Sequence, residues 1–179
     1  RDNKASKNEL HLELFLTGDE DANVTIEITK IGFKKEVFVP ASTVKSVEID
    51  RLAQITKAGL IDRKAAIHIT SDTPISVYGL NRRFQTTDTY LGLPKRVLGK
   101  SYRAVGYEVS DGLMAEFAVV ATENNTVIEI TPTANTQVYP GERENELNHR
   151  ANQPFKIKLN KGDVYQVSAR DEKGSKCDL

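Results

Sequence analysis

Three features of the sequence predict an all-β fold: two tandem, related antiparallel β-sandwich-like units with at most one short helix. Apolar residues recur at every second position in run after run. Segments rich in Asn, Asp, Gly and Pro separate the runs. A stretch of the first half returns, in pattern, in the second.

The alternation begins with Leu10-His-Leu-Glu-Leu-Phe-Leu16, where four leucines share one face and His11 and Glu13 the other. Successive strand side chains point to opposite sides, so such a run buries one face and wets the other. Val24 to Thr29 alternates in the same way, and so does Phe155 to Asn160, with Phe155, Ile157 and Leu159 inward. Ala66 to Thr70, Ile75 to Tyr78, Tyr102 to Tyr107, Phe117 to Ala121 and Val164 to Ala169 are also strand-like. Gly18 to Asn23 and Thr122 to Asn125 read as hairpin turns, because Asn and Asp tolerate left-handed backbone and bond it with their side chains. Ser71-Asp-Thr-Pro74 marks another turn. One segment departs from the period. Asp50 to Gly59 carries Leu52 and Ile55 at helical spacing, with Asp50 as N-cap and Gly59 as stop, and predicts one short helix or helical turn.

The internal repeat matches Phe15 to Thr29 with Phe117 to Thr131, 102 residues later, through a shared Phe, an Asn and Ile-Glu-Ile-Thr. Phe33 is then answered by Phe155, so the second copy carries about 20 extra residues, a polar insertion at about 133–154. The expected division is a first unit over 1–98 and a second over 99–179. The second reaches Leu179 before its last strands and is expected to be incomplete at its C-terminus, with an open sheet edge.

Composition narrows the function classes. Hydrophobic residues make up 39% and charged residues 28% of the 179, which suits a globular chain. Twenty-five basic residues balance 25 acidic ones, so no long-range field draws in nucleic acid. No apolar run approaches the roughly 20 residues a membrane helix needs. The charged start, without Met, fits a mature or trimmed piece.

No catalytic, cofactor or metal pattern stands out, and the chain is not expected to be an enzyme. His11 and His68 fall on outward strand faces and His149 in the insertion, without metal-ligand spacing. Gly-x-Ser-x-Gly and phosphate-loop patterns are absent. The acidic turn Gly18 to Asp21 offers oxygens to calcium but does not match an EF-hand loop; a solvated hairpin tip is the simpler reading. Asn23-Val-Thr25 and Asn124-Asn-Thr126 are glycosylation acceptor patterns that matter only in a eukaryotic secretory route. The single cysteine, Cys177, is either a free thiol or half of a disulfide to a partner outside this segment. The insertion supplies the candidate ligand-binding residues, Tyr139, Arg143, Glu144, Asn148, His149 and Arg150, because loops fixed by a sheet scaffold commonly carry binding groups. Asn81 to Tyr90, a polar connection between units, is a second candidate.

The middle of the chain carries an ordered series of markers: Thr73 to Asn81, Asp88 to Pro94, Leu98 to Tyr102, Val105-Gly-Tyr107 and Glu116 to Pro132. The series resembles the N-terminal domain of the IgGFc-binding protein family, and the resemblance runs from about Leu10 to Leu179. It implies an extracellular or cell-surface, β-rich module used in adhesion or binding, with no cofactor and no catalytic residues to transfer. Longer domains of this kind carry a Cys after a strand like Ile75 to Leu80, which implies a disulfide for Cys177. This chain departs from the family in lacking its opening aromatic strand and its last strands.

The expected function is therefore an extracellular adhesion or binding module recognising a protein or glycan through loops, without nucleic-acid binding or membrane insertion. The alternative is a structural subunit of a surface layer or filament, self-associating by strand sharing at the open edge.

Overall fold

The computed structural model describes residues 10–56, 58–83, 86–106, 114–137 and 149–170. It is all-β: among the described residues thirteen strands pair antiparallel, and the only helical pieces are three-residue 3-10 turns. None of these could cross a membrane. The chain resolves into two compact units. One holds the residues up to Gln54 with Ile67–Lys100; the other holds Ile55–Ala66 with Ser101 onward.

In the first unit, one sheet has the order β4-β1-β7-β8, from Val44–Ile49, His11–Thr17, Ser76–Arg82 and Thr87–Gly92. The other has the order β3-β2-β6, from Phe33–Val39, Ala22–Ile28 and His68–Ser71. Their inward faces share a single core. Leu14 and Leu16 on β1 and Val47 and Ile49 on β4 meet Val24, Ile26 and Ile28 on β2 and Val37 and Val39 on β3. Leu16, Ile26, Ile28 and Val39 are wholly buried. Each buried aliphatic side chain contributes about 1.5–3 kcal/mol, so the alternation legible in the sequence holds this unit together. At the β7–β8 pair, Gly79 stands opposite Tyr90, whose ring lies across the glycine where any Cβ would overlap it.

In the second unit, β9 (Glu116–Val120) pairs with β13 (Val164–Ala169), and β10 (Thr126–Ile130) pairs with β12 (Phe155–Leu159). The far edge of β13 is shared by two short strands, β11 (Thr136–Gln137) and β5 (Ile61–Asp62). The core comprises Ala121, Ile130, Leu159, Tyr165 and Val167, flanked by half-buried Phe117, Val119, Ile128, Phe155 and Ile157.

Asp163 ties Ile55–Ala66 to the β12–β13 turn. Its carboxylate is 2% exposed and accepts from the Lys64 amide at 3.1 Å and the Asn160 amide at 3.0 Å, with the Arg63 guanidinium 3.7 Å away. The Ala66 amide donates to the Gly162 carbonyl and the Gly59 amide to the Gln166 carbonyl.

One sequence expectation holds in its smaller form, a helical turn, and another fails. The segment from Asp50 forms only the 3-10 turn Arg51–Ala53; Asp50 does cap it, accepting from the Leu52 amide at 2.8 Å. No residue of that turn is buried, and Leu52, the apolar residue expected to anchor a longer helix, is 66% exposed. Tyr102–Gly106 is not a strand. All five residues are exposed and none belongs to a strand ladder among the described residues.

Candidate functional site

The insertion is held at its base by a compact clamp. The chain leaves the core along β11, which pairs Thr136 with Ala169 and Gln137 with Ser168. It returns at His149, directly opposite Thr136. The Thr136 amide donates to the His149 carbonyl at 2.9 Å, and the His149 amide donates to Thr136 Oγ1 at 2.9 Å. Thr136 is buried, so these bonds form away from competing water. Asn135 extends the clamp: its Oδ1 accepts from the Ala151 amide and its carbonyl accepts from the Arg170 amide at 2.7 Å. A left-handed Asn152 (φ 59°) lets its amide reach the Pro132 carbonyl at 2.7 Å, and the Gln153 amide closes a turn on the Arg150 carbonyl. Asn tolerates that conformation better than most residues.

An aromatic stack backs the clamp. The His149 and Phe155 rings lie parallel, 1° apart in plane, with centroids 3.4 Å apart, and Phe155 meets Tyr165 in a tilted contact at 6.3 Å. Burial pushes the His149 imidazole below its ordinary value and the Tyr165 phenol above its own, because desolvation penalises the charged form of each. Near neutral pH both rings are therefore uncharged. Arg150, the next residue, is exposed.

Of the six candidates, the structure places His149 in the clamp with its ring turned inward, and Arg150 on the surface beside it. Tyr139, Arg143, Glu144 and Asn148 lie outside the described residues, as does Cys177. His11 and His68 are exposed on β1 and β6. The acidic turn is occupied by structural bonds: Asp21 Oδ1 accepts from the Ala41 amide at 2.8 Å and its carbonyl accepts from Thr73 Oγ1. Among the described residues no three His, Cys, Asp or Glu side chains gather as metal ligands would. Asn23 uses both its amide and its side chain on Asp72, each at 2.7 Å, and these bonds hold the Asp72 carboxyl below the usual carboxylate range.

Sequence reasoning missed Asn135 and Thr136. Polar residues in a polar stretch give no periodic signal, and only their pairing with Ala151 and His149 reveals them.

The family model described as IgGFc binding protein matches residues 88–179, just over half of the 179. No curated protein and no solved structure matches the chain.

Proposed function

The chain belongs to the IgGFc binding protein family, and from that premise we propose that it is a non-catalytic protein-binding module that meets its partner through the polar segment 138–148 and the adjoining Arg150. The observation that carries this reading is the clamp. Thr136 and His149 fix both ends of the segment at one point of the sheet, so its polar and aromatic residues are presented from a rigid base. A fixed base lowers the ordering cost of binding. Tyr139 and Arg143 are residue types enriched among interface anchors. The family supports a protein partner, and we place the module outside the cell or at its surface, in adhesion. Glycan recognition is the narrower variant of the same reading.

The test is binding of the purified chain to an array of secreted proteins, including immunoglobulin Fc, alongside a glycan array. Saturable binding to a protein, reduced at least about tenfold by replacing Tyr139, Arg143 and Arg150 together with Ser, is the expected result. A folded chain that binds nothing on either array would overturn the reading.

A further inference from the structure

We propose that the second unit is built on the same plan as the first, and that the edges of β9 and β10 which no described strand covers are the seat of a separate strand pair with the chemistry of β6 and β7.

The common plan rests on pairing and on turn bonds. β1 pairs with β4 as β9 pairs with β13, and β2 pairs with β3 as β10 pairs with β12. The turn between β3 and β4 crosses that between β1 and β2 through the Ser42 amide to the Gly18 carbonyl at 2.8 Å, and Ala41 donates to Asp21 Oδ1 at 2.8 Å. The second unit repeats both bonds. The Gly162 amide donates to the Ala121 carbonyl at 2.8 Å, and the Lys161 amide to Asn124 Oδ1 at 3.1 Å. Ser42 and Gly162 both take positive φ, 56° and 86°. The Thr43 amide closes on Pro40 as the Asp163 amide closes on Asn160.

The plan then differs in one respect. In the first unit β7 covers the second edge of β1 and β6 covers that of β2. Among the described residues, β9 pairs only with β13, and β10 only with β12. Burial follows the same division. Counted back from Gly18 and Ala121, Leu14 and Leu16 correspond to Phe117 and Val119; counted from Ser42 and Gly162 through the β2–β3 and β10–β12 registers, Val24 and Ile26 correspond to Ile128 and Ile130. The first four are 2%, 0%, 1% and 0% exposed, whereas Phe117, Val119 and Ile128 are only half-buried and Ile130 is 7% exposed. In the first unit Ile67, Ile69, Ile75 and Val77 pack against the corresponding core from β6, β7 and their flanks. The occupant is thereby specified: two antiparallel strands with apolar residues at alternate positions, one laid along each edge. Backbone hydrogen bonds would supply affinity and the alternate apolar side chains would supply register.

The probe is a synthetic peptide of residues Ala66–Arg82, added to the chain and followed by amide exchange and sedimentation. In the chain alone, amides of β9 and β10 should exchange faster than those of β1 and β2; equal protection overturns the proposal. With peptide, a one-to-one complex should slow exchange at Phe117–Val120 and Thr126–Ile130 by about tenfold or more, leaving β1 and β2 unchanged. A peptide carrying Ile69→Asp and Val77→Asp should do nothing. No slowing with the native peptide overturns the proposal. So does slowing that grows with chain concentration in the absence of peptide and is accompanied by dimers, because the edges would then belong to a second copy.

Discussion

Removing the Asp163 carboxylate should uncouple Ile55–Ala66 from the strands it rests on. In Asp163→Ala, the Lys64 and Asn160 amides lose acceptors at 3.1 and 3.0 Å in a site where Asp163 itself is 2% exposed. A buried donor left without a partner costs about 1–3 kcal/mol, so the pair should cost about 2–6 kcal/mol. Asp163→Asn keeps one acceptor and turns an N–H toward the other donor, so it should cost about half as much. The Arg63 pair contributes little to this sum. The guanidinium is 71% exposed and 3.7 Å away, and such pairs are worth about 0–1 kcal/mol, which is what Arg63→Ala should lose. Urea denaturation followed by far-UV circular dichroism measures the series. Amide exchange at Gly59 and Ala66, which donate to Gln166 and Gly162, reports whether the loss is local to this segment. An Asp163→Ala chain within about 0.5 kcal/mol of the parent, or Arg63→Ala as damaging as Asp163→Ala, would refute the argument from orphaned amides.

Three further outcomes follow from named contacts. Tyr90 is 57% exposed, but desolvation where its ring lies across Gly79 raises the phenol, so its titration at 295 nm should have a midpoint above the ordinary tyrosine value; Gly79→Val, which displaces the ring, should return it toward that value. Because the folded pKa is the raised one, the stabilisation is complete below the unfolded value and declines as pH rises through the folded one. His149 behaves oppositely: its folded pKa is the depressed one, so stability should hold above the unfolded value and fall as pH drops through the folded value, a dependence that His149→Phe should remove. Ile26→Ala, at a wholly buried position of the first core, should cost about 2–5 kcal/mol by urea denaturation, whereas Val127→Ala, at a position 62% exposed on β10, should stay within about 0.5 kcal/mol.

The strands were legible where alternation was strong. Leu10 to Leu16, Val24 to Thr29, Phe155 to Asn160 and Val164 to Ala169 each fall on β1, β2, β12 and β13 to within a residue or so. Strands without that signal were not. Ile61–Asp62 is two residues long, too short for any period, and exists because β13 offers it an edge. Phe33–Val39 carries Lys34, Lys35 and Glu36, whose charges hide the inward set of Val37 and Val39. The letters that suggest a repeat do not mark matching places in the two units. Phe15 and Phe117 align as text, yet Phe117 packs on its core while Phe15 alternates with Leu14 and Leu16 and lies on the other face of β1. Turn bonds, which depend on backbone geometry rather than residue identity, give the firmer correspondence of Ser42 with Gly162. At the candidate site the sequence named His149 but could not show that Thr136 faces it, since that contact depends on tertiary pairing.

The binding account is tested most directly by replacing residues 138–148 with a Gly-Ser linker of equal length, leaving Thr136 and His149 in place, and titrating the product against the array-identified protein by calorimetry. The account predicts an unchanged thermal transition and loss of measurable heat of binding. Undiminished affinity in the linker chain would contradict it.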